Sequence, residues 1–344
     1  KVIDLNGKLI TSGFISPLTQ LGLVEIGLES RTRNDSSDVY SAGFSISQAF
    51  NPSSTLIPHN LNGGITSSIT MPNSRGLFRG MASFFNLSGS LDSLMEKDMA
   101  MIANFTTGNE SKAGNIQLME DSIALARDFD LSENIKIDNY LPDGVKLSIR
   151  DLKALKKVSN KQIPLIIRAD RASDIIALIK FADRVSINLI LLGASEGWMI
   201  ADTISKANIP VILEPINNLP SSFDRLGSRL ENAALMNEAG VKVMFKSDNY
   251  DTHNAYLSRQ GAGIAVSYGL PWKEAIKALT SNIAEAFNLE KIGSIEPGFK
   301  ADLIIWNNDP LEVTSYPKEI YIKGVEMSSS TRSKKLRDRY LNLD

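Results

Sequence analysis

The chain has 344 residues, 43% of them hydrophobic and 22% charged, a balance that suits one large α/β barrel or two smaller domains around a sizeable core. A formal net charge of −2, with cations scattered among acids, excludes the electrostatic footprint of a nucleic-acid binder, and no stretch approaches the roughly 18 consecutive apolar residues that cross a bilayer, so neither nucleic acid nor a membrane is expected as a partner. The absence of cysteine removes disulfides, thiolate nucleophiles and Cys-ligated metal centres in one step, and tilts the expected compartment slightly towards an oxidising, periplasmic or secreted one.

Along the chain, Gly13-Phe14-Ile15 and Gly64-Ile65-Thr66-Ser67-Ser68-Ile69-Thr70 read as two early strands. Residues 29 to 62 between them read as a long loop, because Arg33-Asn34-Asp35-Ser36-Ser37-Asp38 and Asn51-Pro52-Ser53-Ser54 are turn chemistry; either a binding loop or a plain surface loop fits. A further strand is expected around Met99 to Phe105, with helices at 112 to 129 and 149 to 158. From Ile163 onward the pattern becomes regular. Ile163-Pro164-Leu165-Ile166-Ile167, Asn188-Leu189-Ile190-Leu191-Leu192, Ile209-Pro210-Val211-Ile212-Leu213 and Val241-Lys242-Val243-Met244-Phe245 are short apolar runs of the kind buried in parallel sheets. Helices separate them: Ile175, Leu178, Ile179 and Ala182 fall on one face, as do Trp272, Ala275, Ile276 and Leu279 after Pro271. Such alternation makes right-handed crossovers, in an open doubly wound sheet or a closed eight-stranded barrel. No GxGxxG loop follows a strand, so the dinucleotide-binding option loses its main support. Past Asn288, the turn Gly293-Ser294-Ile295-Glu296-Pro297-Gly298 leads to strands at Ala301-Asp302-Leu303-Ile304-Ile305-Trp306 and Ile320-Tyr321-Ile322-Lys323-Gly324, a small β appendage that needs more strands to bury its face. The tail, with Lys334, Lys335, Arg337 and Arg339, reads as a solvated helix or a basic partner-binding segment.

Val2-Ile3-Asp4 with Gly7, then Gly13-Phe14-Ile15, resembles the start of the first barrel strand in the amidohydrolase superfamily, especially its imidazolonepropionase-like members. Gly293–Gly298 followed by Ala301–Trp306 and Asp309-Pro310-Leu311-Glu312 resembles that family's return from barrel to β-sandwich, while Gly64-Ile65-Thr66 and Phe245-Lys246-Ser247-Asp248 resemble its second and eighth strands. The resemblance implies an α/β fold: a TIM-like (β/α)8 barrel over 13–290, a β-sandwich remnant at 1–12, further sandwich strands at 291–327 and a tail helix at 328–344. Family members usually carry additional sandwich strands before this point, so a truncated N-terminus is expected.

The resemblance also implies one or two divalent metals, Zn or another, at the carboxyl ends of the strands, where they activate water and polarise a carbonyl. Its ligand positions are altered here. An Asp followed by His-x-His at the first strand corresponds to Ser16, Leu18 and Gln20; the fifth-strand His corresponds to Arg168, a permanent cation without a usable lone pair, and the sixth-strand His to Gly193. Only the eighth-strand acid remains, as Asp248, and the chain has just two histidines, His59 and His253. No cofactor is therefore expected. Arg168 is expected to pair with Asp248 in the place of a metal. Asp248 and Asp170 are the catalytic candidates, for acid and base work without metal, and Arg168, Glu214 and His253 the binding candidates. A solvated ion-pair network, or one weakly held manganese, magnesium or calcium on Asp170, Glu214, Asp248 or His253, are the other readings. His253 also reads as a capping or surface residue, and His59 as structural or ligand-gating. Phe84, Phe85, Trp198, Phe223 and Tyr250 could line a pocket or simply pack.

Two functions follow. By resemblance the chain is a hydrolase of non-peptide, cyclic-amide-like C–N bonds with an altered centre. The alternative is a catalytically silent barrel, a pseudoenzyme that binds a small molecule or supports a homologous partner subunit; a homodimer is the family's habit. Fold alone does not choose between them.

Overall fold

The computed structural model describes residues 4–107, 110–129, 147–247 and 251–341. A short first strand, β1 (Ile10–Ser12), precedes eight that form one sheet in chain order: β2 (Phe14–Thr19), β3 (Ile65–Thr70), β4 (Phe78–Asn86), β5 (Leu94–Ala103), β6 (Leu165–Ala169), β7 (Leu189–Gly193), β8 (Val211–Leu213) and β9 (Val243–Phe245). Neighbours pair in parallel except at β4, which runs antiparallel to both β3 and β5. No helix joins β3 to β4 or β4 to β5, so this part departs from strict strand–helix alternation. Sequence reasoning finds no strand at Phe78–Asn86. Nearly every residue there is buried, Gly80 and Ser83 included, so neither an apolar–polar alternation nor a pure apolar run marks it.

From β5 onward helices carry the crossovers. Ile149–Ser159 starts on a capping box, in which Ser148 Oγ accepts the Asp151 N–H (3.2 Å) and the Asp151 carboxylate accepts the Ser148 N–H (2.8 Å). Ala172–Val185 buries Ile175, Leu178, Phe181 and Ala182 and ends at Ser186 in the left-handed region. Helices Ala201–Lys206 and Asn232–Glu238 follow β7 and β8.

The side-chain alternation distinguishes a barrel from an open sheet. Ile166, Ile190, Leu192, Ile212 and Met244 from β6 to β9 join one apolar cluster with Ile15 of β2, Phe84 of β4 and Ile102 of β5. Their neighbours Leu165, Ile167, Leu189, Leu191, Val211 and Val243 join a second cluster with the helical residues Ile175, Leu178, Ile204 and Met236. Strands at opposite ends of the sheet thus share one interior, as a TIM-like barrel requires. Ile283, Phe287 and Ile292 enter the same interior, and Asn282 Nδ2 donates to the carbonyl of Val243 at the start of β9 (2.8 Å). The helix Ser281–Ala286 therefore stops the amino end of the barrel and leaves the carboxyl end for a site.

The expected appendage is a four-stranded antiparallel sheet, ordered β1, β10 (Leu303–Trp306), β11 (Pro317–Ile322) and β12 (Val325–Glu326). The strands it lacked on sequence are β1, from the lead-in segment, and the two-residue β12. Trp306 ties it to the barrel by stacking on Phe14 of β2 (5.4 Å between centroids), and within the appendage it donates to Thr11 Oγ1 of β1 (2.9 Å). Gly64 permits this, since a Cβ there would lie 2.6 Å from the indole. The expected loop at 29 to 62 contains a helix, Leu56–Leu61, and the tail forms the fully exposed helix Arg332–Leu341.

Candidate active site at the carboxyl end of the barrel

The ends of β6, β8 and β9 deliver the charged groups. Arg168 is the penultimate residue of β6 and Asp170 follows that strand; Glu214 follows β8 and Lys246 follows β9. Apolar residues on both sides of each short strand hold its backbone, so these groups converge. Arg168 donates to Glu214 Oε1 at 2.6 Å and lies 3.6 Å from Asp170 Oδ2. Lys246 Nζ reaches the same Glu214 oxygen at 3.1 Å. Arg225, from the loop after β8, bridges both acids, with Nε 3.2 Å from Asp170 and a terminal nitrogen 3.5 Å from Glu214. Asp170 Oδ1 also accepts the hydroxyl of Ser195 (2.6 Å). Asp170, Glu214 and Lys246 are buried. Burial alone would raise the Glu214 pKa, but Lys246 and then Arg168 overcome it and hold the carboxyl at about 2.

A second layer straps the loop after β8 onto this cluster. Asp224 takes Arg171 at 2.5 Å and Lys112 at 3.0 Å, and Lys112 also binds Asp174 at 2.5 Å. The Lys112 hydrogen bond is the main cause holding the Asp224 carboxyl below its usual range, against a smaller opposing effect of burial. Glu196 bridges loops through the N–H groups of Ala172 (2.9 Å) and Gly227 (3.0 Å). Beneath the strap, the cleft between Gly193, Ser195, Glu214, Arg225 and Asn232 encloses about 10 Å³, the space of one water.

The structure brings Arg168, Asp170 and Glu214 together. The salt bridges of Arg168 run to Glu214 and Asp170; its expected partner, Asp248, lies outside the described residues. Among the described residues no hydrogen bond or ion pair joins His253 to this cluster: its carbonyl accepts from Asn60 Nδ2 (3.3 Å). His59 packs edge-on against Tyr256, and partial burial and the nearby His253 lower its pKa. Leu18 is fully buried in the barrel interior with φ at +59°, Ser16 is buried without a hydrogen-bond partner for its hydroxyl, and Gln20 accepts from Thr252 (3.3 Å). A Cβ on Gly193 would lie 2.6 Å from Asp170 Oδ1, so the Asp170 carboxylate takes up the room a side chain would need. Phe84 and Phe85 pack in the core; Trp198 donates to the Gly227 carbonyl (2.8 Å) under Arg229, Phe223 is exposed, and Tyr250 lies outside the described residues. Sequence reasoning missed Lys246 and Arg225. A lysine ending the apolar run Val243-Met244-Phe245 was a signal for the first; nothing local marks the second.

Fold and site define the class: a TIM-like barrel with charged residues convergent at the carboxyl ends of its strands and an additional antiparallel sheet. The model of the Amidohydrolase family matches residues 143–327, and the chain belongs to that family. An amidohydrolase from Thermotoga maritima MSB8 superposes with a TM-score of 0.83 at 23% identity, over 95% of this chain and 89% of that one. An adenosine deaminase from Xanthomonas campestris with bound zinc superposes at 0.51 and 14%, over 97% and 86%. At these identities the likeness is one of fold. In sequence, an adenine deaminase from Desulfitobacterium hafniense (strain Y51) is 30% identical over 134 residues, 36% of this chain and 22% of the relative. Amidohydrolase tasK from Hapsidospora irregularis is 29% identical over 91 residues, 26% of this chain and only 9% of the relative.

Among the described residues no three His, Asp or Glu side chains are grouped so as to hold a metal ion. The two acids described at the strand ends, Glu214 and Asp170, already carry three cationic side chains between them, which fits a divalent cation on this pair poorly.

Proposed function

We propose that this amidohydrolase-family barrel is catalytically silent towards metal-dependent hydrolysis. The observation that carries the reading is the set of cations Arg168, Arg225 and Lys246 on the buried acids Asp170 and Glu214, which neutralises both acids internally. A divalent ion entering there would meet three fixed positive charges and would have to displace them from buried carboxylates, at a cost of several kcal/mol.

Family membership favours a second reading, hydrolysis of a non-peptide C–N bond by metal-free acid and base work. Glu214, held at about 2, is a weak base near neutrality, which leaves Asp170 as the described candidate.

Elemental analysis of the purified chain, together with thermal melts in manganese, zinc and chelator, tests the proposal. The expected result is no stoichiometric metal, superimposable melts and no turnover of cyclic amides or adenine. A stoichiometric ion that raises the melting temperature would sink it. Turnover that persists in chelator and disappears in Asp170→Asn would establish the second reading instead.

A further inference from the structure

A groove on the outer flank of the barrel, lined by none of the mouth residues, concentrates positive charge. One lobe of about 410 Å³ is walled by the helix Ile149–Ser159 on one side and by Lys97 and Asp98 of β5 on the other; a second lobe of about 230 Å³ shares Gly43, Ser45, Lys97 and Arg150 with it and reaches Tyr40. Arg150, Lys153 and Lys157 stand at i, i+3 and i+7, one face of the helix, spanning about 10 Å along its axis. Lys97 faces them from the sheet. These four cations have no ion-pair partner among the described residues, whereas those at the barrel mouth all do.

The groove is also ordered. The backbone of Gly43 lies against the Arg150 stem so closely that a Cβ would fall 2.3 Å from it, and the Gly43 N–H donates to Asp151 at 2.7 Å. The guanidinium is thereby held over the Tyr40 ring, 5.6 Å from its centroid. Asp98, the one acid on the groove wall, is buried and takes the Ser45 hydroxyl at 2.5 Å. Among the described residues of the groove wall, four cations converging from two sides thus stand against one acid.

We propose that this groove is a binding site for a small ligand carrying clustered phosphoryl groups. Several oxygens on one compact centre satisfy cations arriving from opposite walls, and the fork of Arg150 suits paired phosphoryl oxygens. The site is independent of the reading of the barrel mouth.

Isothermal titration with inorganic tripolyphosphate at low salt tests the assignment. Expected are one-to-one binding, at least about tenfold weakening in Lys153→Gln/Lys157→Gln and in Lys97→Gln, and progressive loss with added NaCl, as for any exposed charge cluster. Lys334→Gln/Lys335→Gln, in the exposed tail helix, should bind as the parent does, and citrate at least about tenfold more weakly than tripolyphosphate. Circular-dichroism melts check that each variant folds, and the single Lys97→Gln serves if the double variant does not. No binding of tripolyphosphate at millimolar concentration, equal loss in the tail variant, equal affinity for citrate, or tighter binding of a poly-glutamate peptide would overturn it.

Discussion

Glu214→Gln tests the mouth network most directly, because Gln reproduces the shape of the protonated acid without its charge. The Glu214 side chain is 3% exposed, and its carboxyl is held at about 2 against an ordinary 4.5. At about 1.4 kcal/mol per pKa unit, that depression corresponds to roughly 3 kcal/mol of stability in the ionised form. The folded pKa lies below the unfolded one, so this stability is complete above about pH 4.5 and is lost as pH falls through about 2. Urea unfolding followed by circular dichroism at pH 7 should therefore place Glu214→Gln about 3 kcal/mol below the parent. The gap should narrow steadily below pH 4.5 and nearly close at pH 2. Equal stabilities at pH 7, or a gap that does not change between pH 7 and pH 2, would refute the claim that Lys246 and Arg168 stabilise a buried carboxylate.

Gly193→Ala should lower stability by about 2 kcal/mol or more in the same assay, since φ is +96° and the new methyl would press on Asp170 and Arg168; a neutral result would mean that β7 ends with more room than the structure has. Asp224→Asn should leave the urea midpoint almost unchanged, because Asp224 is 43% exposed, yet speed amide hydrogen exchange across residues 218–230 by releasing Arg171 and Lys112. Arg259→Met should cost about 2–4 kcal/mol and loosen residues 310–315, whose carbonyls at Pro310 (2.5 Å), Glu312 (2.8 Å) and Ser315 (3.1 Å) all accept from the buried guanidinium; unaltered proteolysis of that segment would count against it.

Much of the fold was legible because it rests on local pattern. The runs at 163–167, 188–192, 209–213 and 241–245 overlap β6 to β9, and the helix expected at 149 to 158 spans Ile149–Ser159, for each is dictated by its own periodicity and caps. β4 escaped notice because its burial comes from both sides at once and leaves no periodic trace. The pairing of Ile10–Ser12 with Leu303–Ile305 joins residues far apart in the chain, which no local pattern records.

The candidate site divides in the same way. Composition limits the chain to two imidazoles, and Leu18, Arg168 and Gly193 stand where the resemblance implies ligands; these are properties of residue type, readable without coordinates. Which acid Arg168 meets is not. Among the described residues the barrel's curvature puts Glu214 at 2.6 Å, with Lys246 and the loop residue Arg225 beside it, while Asp248, the partner expected from the sequence, lies outside them. Electrostatic energy depends on separations of a few ångströms between groups on different strands, and only closure of the sheet sets those separations.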